Sequence, residues 1–229
     1  MLDMYPVVPW ATIHNKMMST WEQGQHVFVN APTGMGKTTL IAKILDRRKY
    51  VVIFCTKVHD KTLSNDFPGF ERIYEWPPKF EQNKVLLWPK PGKSIRETVA
   101  IQKRVFQNAS DKLFLEQNWC VVWDEQHYQC QTLGLTLENQ MFLHQARSSG
   151  SSQINAAQRP AWIPLATLNA STHCFIWRNT LDEDLKRLGN IGGIDKKQLV
   201  YNLLNMTDEH QFVYLNARKG YAVRSKVER

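Results

Sequence analysis

The sequence predicts an α/β fold with a mostly parallel central sheet, helices on both faces and an antiparallel hairpin at the C-terminus. Two observations support this prediction. Short apolar runs alternate with longer helical patterns over most of the 229 residues, as in strands joined by crossover helices. The last two apolar runs are separated only by residues 217–220, which is too few for a crossover and therefore favours a hairpin.

The individual elements follow from these runs in order along the chain. The predicted strands are 26–30, 50–56, 72–76, 84–88, 119–124, 153–157, 173–178, 211–216 and 221–224. The predicted helices are 10–23, 37–48, 94–117, 137–148, 181–189 and 196–205. Ser94 and Glu97 have the spacing of a capping box, so the long helix should begin there. No linker of disordered composition divides the chain. We therefore expect one domain over 1–229, with a helical extension over 1–25.

The composition indicates a folded, positively charged chain. Apolar residues make up 43%, and the eight tryptophans argue against disorder. The 29 Lys and Arg against 21 Asp and Glu leave a net charge of +8, which favours a polyanionic partner, nucleic acid first, over a charge that serves only solubility. No long apolar run predicts a membrane span, and the N-terminus lacks the pattern of a signal peptide.

The four cysteines indicate neither a zinc site nor disulfides. Cys55, Cys120, Cys130 and Cys174 form no C-x2-C pair. Three of them lie in or next to apolar runs, which is typical of buried free thiols. A reducing compartment is the expectation.

The segment APTGMGKT carries the strongest signal in the chain. It follows the run 26–30, opens a predicted helix and matches the phosphate-binding loop G-x-x-x-x-G-K-[ST], with alanine at the first glycine position. The glycines let amide groups point at phosphate oxygens, and the lysine places its charge on the β- and γ-phosphates. Thr38 would hold Mg²⁺ through its hydroxyl, and Thr39 would reach the α-phosphate. This predicts a RecA-like P-loop NTPase domain that binds ATP and Mg²⁺ through Ala31, Pro32, Thr33, Gly34, Met35, Gly36, Lys37, Thr38 and Thr39.

A second, acidic motif ends the predicted strand 119–124. In CVVWDE, Asp124 would hold Mg²⁺ together with Thr38, and Glu125 would orient and deprotonate the attacking water. Two adjacent carboxylates at the end of a buried strand are costly unless a cation or hydrogen bonds compensate them. His127 would either couple the nucleotide to a partner site or be a hydrogen-bonded neighbour, and the sequence leaves both open.

The two motifs also resemble motifs I and II of superfamily 2 helicases. The chain after Glu125 is too short for the second RecA-like domain of those enzymes and has no Ser-Ala-Thr motif. The segment His144-Gln-Ala-Arg147 and the later Gln158-Arg159-Pro160 instead resemble the FtsK–HerA superfamily of DNA-pumping ATPases. In that family an arginine precedes a core strand and a glutamine ends it. In its size, this chain is similar to the genome-packaging ATPases of viruses with an internal membrane.

This resemblance implies a homo-oligomeric ring, with a hexamer favoured and ATP bound between neighbouring subunits. Arg147 would then be an arginine finger that reaches the γ-phosphate held by the next subunit, although a cation at a helix C-terminus is the alternative for this residue. Arg159 is the second choice for the finger. Gln158 would sense the γ-phosphate or the water. The catalytic set is therefore Lys37, Glu125, Arg147 and Gln158.

The function implied is ATP-driven translocation of double-stranded DNA without sequence preference, in the form of genome packaging into a capsid. A capsid vertex or a membrane protein would provide the docking partner, and the expected location is the cytoplasm of an infected host cell or the virion vertex. A filamentous-phage-type assembly or secretion ATPase, a helicase-like ATPase and a regulatory nucleotide switch are the alternatives. Glu125 beside Asp124 favours hydrolysis over a passive switch.

Basic residues that could contact DNA form two groups, and a solvated surface is the alternative for both. The first group lies around the start of the long helix and comprises Lys90, Lys93, Arg96, Lys103 and Arg104. The second lies in the C-terminal tail and comprises Arg218, Lys219, Arg224, Lys226 and Arg229. For adenine, the sequence leaves Tyr5, Trp10 and the C-terminal hairpin as open choices.

Overall fold

A computed structural model describes residues 2–78 and 82–227. The strands are β1 His26–Asn30, β2 Tyr50–Phe54, β3 Glu71–Ile73, β4 Lys84–Leu87, β5 Trp119–Trp123, β6 Ser152–Ala157, β7 Ser171–Trp177, β8 Gln211–Asn216 and β9 Tyr221–Lys226. They form one nine-stranded sheet in the order β3-β4-β2-β5-β6-β1-β7-β8-β9. Each predicted strand is present, although β3 ends at Ile73 because the chain bends before Trp76.

The pairing confirms the mostly parallel sheet and the C-terminal hairpin. The strands from β3 across to β7 pair in parallel, whereas β8 pairs antiparallel with β7 and β9 antiparallel with β8. All parallel strands therefore end at one edge of the sheet, here called the carboxyl edge, and begin at the opposite amino edge. Loops at the carboxyl edge are where open parallel sheets bind their ligands.

The helices connect these strands and account for the periodic parts of the sequence. They are α1 Trp10–Thr20, α2 Lys37–Leu45, α3 Lys61–Asp66, α4 Ile95–Leu115, α5 Thr136–Gln145, α6 Leu165–Ala170, α7 Asp182–Leu188 and α8 Lys196–Asn205. A π-helix, Tyr128–Thr132, follows β5, and a 3₁₀ turn, Pro160–Trp162, follows β6. The sequence did not predict α3, α6 or these two short helices, because so few residues show no apolar period. None of the helices in the described ranges is both long and apolar enough to cross a membrane.

Helices cover both faces of the sheet. On one face, α1 and α2 bury apolar side chains such as Met17 and Leu40 in a core that spans β1, β2 and β5 to β8. On the other face, α4 covers β2 and β5, where the rings of Phe54 and Phe106 stack at 4.9 Å. On the same face, α6 to α8 cover β1, β7 and β8. Strands buried on both sides explain why β1, β5 and β7 read as nearly continuous apolar runs.

The N-terminal extension is packed onto the sheet. Trp10, Ile13 and Met17 of α1 are buried, and the backbone N–H of Val8 donates to the carbonyl of Arg224 in β9 at 2.9 Å. This contact lengthens the C-terminal edge of the sheet. The extension therefore stabilises the hairpin rather than standing apart from it.

The predicted capping box begins α4. Ser94 Oγ accepts a hydrogen bond from the Glu97 N–H at 3.1 Å, and the Glu97 carboxylate accepts from the Lys93 N–H at 2.7 Å. The return bond therefore goes one residue further back than in the usual motif. A cap of this kind contributes about 1 kcal/mol to helix stability, and it fixes the direction in which the β4–α4 loop leaves the sheet.

Two buried histidines lie near the amino edge. His26 at the start of β1 accepts the Gln153 N–H at its Nδ1 over 3.0 Å. His173 of β7 lies 2.9 Å from Tyr214 Oη and 3.2 Å from Gln25 Oε1. Burial, followed by nearby positive charges that include Arg218, lowers the pKa of each histidine to about 4. Both are therefore neutral in the folded protein at neutral pH.

We expect the free energy of unfolding to fall as the pH is lowered from 6.5 to 4. In this window the unfolded chain binds protons at these histidines and the folded chain does not, so the loss is on the order of 2–3 kcal/mol for each site. Urea unfolding at pH 7 and pH 5 measures it. His173→Gln should flatten the pH dependence, whereas the same change at the exposed His59 should leave it as in the parent. Equal slopes for both variants would show that His173 is not the group responsible.

Candidate active site

The loop between β1 and α2 forms a cradle of backbone amides. Gly34 and Gly36 have φ values of 83° and 95°, a region that strains any residue with a Cβ atom. The Ala31 N–H donates to the Ala157 carbonyl at 3.2 Å, which ties the start of the loop to the end of β6. Helix α2 begins at Lys37 without a side-chain cap, so its first amides are available to an anion.

Lys37 brings this loop to the acidic motif that follows β5. Its Nζ donates to the Asp124 carbonyl at 2.8 Å and lies 3.5 Å from Asp124 Oδ1 and 3.8 Å from Glu125 Oε2. The Asp124 side chain is only 5% exposed. One ammonium group therefore compensates two carboxylates that the sheet holds together away from bulk water.

Gln158, directly after β6, bridges the two motifs. Its Nε2 donates to Glu125 Oε2 at 3.0 Å, and its Oε1 accepts from Thr33 Oγ1 at 3.1 Å. The amide thus holds the Glu125 carboxylate in one orientation and contacts the phosphate loop at the same time.

Two asparagines that the sequence analysis did not select fix the ends of the central strands. Asn30 Nδ2 donates to the carbonyls of Ala157 and Gln158, both at 3.1 Å. Asn179 Nδ2 in turn donates to Asn30 Oδ1 at 2.7 Å and to the Trp177 carbonyl at 2.8 Å. These bonds join the ends of β1, β6 and β7. The sequence offered one signal for Asn30, which is that a polar residue ends an otherwise apolar strand.

The two residues after Glu125 are held by hydrogen bonds to residues that follow in the chain. Gln126 is fully buried, and its Nε2 donates to Asn139 Oδ1 at 2.9 Å and to Thr167 Oγ1 at 2.7 Å. His127 Nδ1 lies 3.2 Å from the Trp162 carbonyl. This contact agrees with His127 as a hydrogen-bonded neighbour of the loop after Gln158, and a coupling role for it stays a prediction.

Lys57, at the end of β2, is a second cation that the sequence analysis missed. It pairs with Asp60 at 2.9 Å. Burial alone would lower the pKa of Lys57, but the hydrogen bond to Asp60 and the negative charges of Asp124 and Glu125 raise it overall. Positive charge therefore lies on both sides of β5, with Lys57 after β2 on one side and Lys37 after β1, beyond β6, on the other.

The residues predicted to hold Mg²⁺ have suitable chemistry. The Thr38 hydroxyl, in the first turn of α2, and the Asp124 carboxylate are the hard oxygen donors that Mg²⁺ prefers. Across the described ranges, no three His, Cys, Asp or Glu side chains are grouped as they would be to hold a metal ion. The Thr39 hydroxyl donates to Asp66 Oδ2 in α3 at 3.2 Å.

Arg147 lies at the amino edge, across the sheet from Lys37 of the same chain. It is exposed in the turn between α5 and β6. Its backbone packs against Gly24, where an added Cβ would lie 2.7 Å from the Arg147 carbonyl oxygen. Because Gly24 directly precedes the start of β1, Arg147 cannot serve the phosphate loop of its own chain. A role in catalysis would have to be played on a neighbouring chain.

The amino edge also holds a basic cavity of about 590 Å³. Arg147, Arg218 and His144 contribute to its wall, and no carboxylate does among the described residues. Arg218 reaches it because β8 runs antiparallel to β7, so the β8–β9 turn returns to the amino edge. The described wall of the cavity therefore carries two arginines and no carboxylate.

Arg159, the second choice for an arginine finger, is held within its own chain. Its Nε donates to Asp184 Oδ2 at 2.8 Å, and Asp184 Oδ1 accepts the Ala161 N–H at 3.0 Å. Asp184 is 1% exposed. This geometry favours a structural ion pair that fastens the loop after Gln158 to α7.

The basic groups considered for DNA lie at opposite edges. Lys90, Lys93 and Arg96 are exposed in the segment that leaves the carboxyl end of β4, whereas Arg218 and Lys219 are exposed at the amino edge. Three further members make contacts within the chain: Arg104 with Glu75 at 2.9 Å, Arg224 with the Tyr5 carbonyl at 2.8 Å and Lys226 with Asp208 at 3.1 Å. Arg229 lies outside the described residues.

The fold and the loop together define the class: the chain has the α/β fold of solved viral genome-packaging NTPases. It is similar to the genome packaging NTPase B204 of Sulfolobus turreted icosahedral virus 2 in complex with AMP, with a TM-score of 0.64, 13% identity and coverage of 90% of this chain and 98% of that one. The DNA-packaging ATPase B204 of Sulfolobus turreted icosahedral virus gives a TM-score of 0.65 at 13% identity, over 91% and 100% of the two chains.

A more distant likeness is to the cytoplasmic domain of the type VII secretion ATPase EccC of Thermomonospora curvata. The TM-score is 0.52 at 13% identity, and the alignment covers 90% of this chain and 25% of that one. No protein-family model and no curated protein matches the sequence. At these identities the likeness establishes the fold, and the roles of individual residues stay predictions.

We expect Glu125→Gln to bind ATP as the parent does and to hydrolyse it on the order of 10²–10⁴-fold more slowly, because an amide cannot accept the proton of water. Gln158→Ala should cause a smaller loss, since Glu125 keeps its base but loses its orientation. Calorimetric titration gives the affinity, and phosphate release gives the rate. Rapid turnover by Glu125→Gln would place the base elsewhere, with His127 the first candidate.

Proposed function

We propose that this chain is a single-domain ATPase over residues 1–229 that hydrolyses ATP to ADP and phosphate. The observation that carries the proposal is the convergence of Lys37, Asp124, Glu125 and Gln158 on the phosphate loop. Such an arrangement has no use in a protein that only packs a core, because it concentrates charge at the end of buried strands.

The chemistry follows from these positions. The loop amides and Lys37 bind the phosphates, with Lys37 exchanging the Asp124 carbonyl for phosphate oxygens. Thr38 and Asp124 would hold Mg²⁺, which when bound neutralises charge on the phosphates. Glu125 accepts a proton from the attacking water at its carboxylate. Gln158 keeps that carboxylate aligned, and its contact with Thr33 lets it respond to the occupancy of the loop.

The site is completed by a neighbouring copy in this proposal. Arg147 stands at the edge opposite to its own phosphate loop, in a cavity with no carboxylate among its described lining residues. In a homo-oligomeric ring, with a hexamer favoured, the amino edge of one subunit would face the nucleotide of the next. Arg147 would then stabilise the charge that develops on the transferred phosphoryl group, an effect of about 10³–10⁵ in rate in other NTPases.

The work driven by hydrolysis, we infer, is translocation of double-stranded DNA without sequence preference during genome packaging. The likeness to B204, which is described as a genome packaging NTPase, supports this choice over a secretion or regulatory role, as does the net charge of +8. A capsid vertex or a membrane protein would be the docking partner, and the site of action the cytoplasm of an infected host cell or the virion vertex. Lys90, Lys93 and Arg96 are exposed and suited to phosphate contacts.

The ATPase rate should rise several-fold on addition of duplex DNA of any sequence, and Lys37→Ala should abolish both the basal and the stimulated rate. Binding to DNA should weaken linearly on a log–log plot against salt. The triple change Lys90→Ala, Lys93→Ala and Arg96→Ala should reduce that slope by about 2–3, since each phosphate contact contributes about 0.9. The ion-paired Arg104→Ala is the matched control. If the basal ATPase rate is intact but does not change on addition of DNA, the chain is an ATPase and the proposed DNA translocation is wrong.

Arg147→Ala subunits should bind ATP yet be inactive alone, because the phosphate loop is intact and the finger is missing. Mixed with Glu125→Gln subunits, they should recover part of the activity, since some interfaces then combine an intact loop with an intact arginine. The measurement is the ATPase rate against mixing ratio, with ring formation followed by light scattering. Absence of recovery at every ratio, in rings that demonstrably form, would assign Arg147 a structural role.

A further inference from the structure

A cavity of about 420 Å³ lies directly beside the phosphate loop. Its walls come from the loop and the first turn of α2, from the end of β7, from the start of β8 and from the end of β9. The lining residues are Gly34, Met35, Gly36, Thr39, Trp177, His210, Lys226 and Val227. All of these segments meet at the carboxyl edge, because β8, which is antiparallel to β7, starts at that edge and β9, which is antiparallel to β8, ends there.

The order of the strands sets the direction in which a nucleotide must lie. On one side of β1 the sheet continues through β6 to β5, where Lys37 contacts Asp124 and Glu125. That side receives the terminal phosphate. On the other side of β1 lie β7, β8 and β9, whose ends form the cavity. The nucleoside end of a triphosphate held by the loop is therefore directed toward this cavity, with Thr39 between the two.

The chemistry of the walls suits a flat heteroaromatic ring. Met35, Trp177 and Val227 supply apolar surface, and His210 supplies an imidazole that is about 42% exposed at the rim. The indole Nε1 of Trp177 is buried without a hydrogen-bond partner among the described residues. Lys226 closes the rim through its ion pair with Asp208 at 3.1 Å. We propose that this cavity binds the adenine and ribose of ATP, with His210 stacking on the base; this rests on the proposed ATPase function.

The two other aromatic candidates for the base are occupied elsewhere. Trp10 is 7% exposed and packs its ring against Phe212 at 6.2 Å. The Tyr5 N–H donates to the Asn202 side chain of α8, and Tyr5 packs in the core on the face of the sheet that α8 covers, opposite to α2. The structure thus selects the hairpin from the three choices.

The test compares ATP with inorganic tripolyphosphate, both with Mg²⁺, as ligands of the full chain in calorimetric titrations. Tripolyphosphate uses the loop and Lys37 but has no base. The variant is His210→Ala, which removes a partly exposed ring and should not disturb folding. The matched control is His59→Ala, an exposed histidine in the loop that follows β2. A double variant, His210→Ala with Val227→Ala, removes both faces of the cavity rim.

We expect His210→Ala to weaken ATP binding about tenfold, the usual scale of one lost base stack, and to leave tripolyphosphate binding unchanged. The double variant should weaken ATP binding further, and His59→Ala should change the binding of neither ligand. Equal loss for both ligands, or no loss for either in the double variant, would overturn the assignment and place the base elsewhere. If the parent binds neither ligand, the proposed ATPase function fails first, so the two failures are distinguishable.

Discussion

The ammonium group of Lys37 is the interaction on which the site depends. The sheet brings Asp124 and Glu125 to the same strand end, where the Asp124 side chain is 5% exposed, and two carboxylates in such surroundings repel each other unless a cation lies between them. Lys37 fills that position from the neighbouring loop. The loop is in turn held by Asn30, Asn179 and Gln158. The ammonium group that we propose to bind phosphate is therefore also the one that holds the two motifs together.

A parallel sheet separates its two edges, and this separation gives each copy two different functional surfaces. The carboxyl edge holds the loop, the acidic pair and Gln158, while the amino edge holds Arg147 and Arg218 around a cavity with no carboxylate in its described wall. No side chain spans from one edge to the other across a buried strand. In the proposed ring, an arginine at the amino edge would serve a nucleotide that is bound by another copy.

The sequence predicted the strands, the longer helices and the phosphate loop, which depend on neighbouring residues. It predicted much less of the side-chain partners, which depend on contacts between distant parts of the chain. Strands buried on both faces are recognisable as apolar runs, and the loop APTGMGKT is specific because few other sequences make that turn. The sequence did not predict α3 and α6, because a helix of six residues is too short to show a periodic pattern of apolar residues. The partners of Gln158 and Arg159 were not predictable, since Thr33 and Asp184 are distant in sequence and only the strand order brings them near. The edge on which Arg147 lies likewise depends on topology.

The C-terminal hairpin shows why an antiparallel addition matters to this fold. A further parallel strand after β7 would need a crossover helix. Like the other parallel strands, it would start at the amino edge and end at the carboxyl edge. An antiparallel pair needs only a short turn, and its two ends then lie at opposite edges of the sheet. The open end brings His210 and Lys226 beside the phosphate loop, whereas the turn brings Arg218 beside Arg147. The two strands pair over six residues each. One short element thus builds a wall of the cavity beside the phosphate loop and a wall of the basic cavity in the same copy.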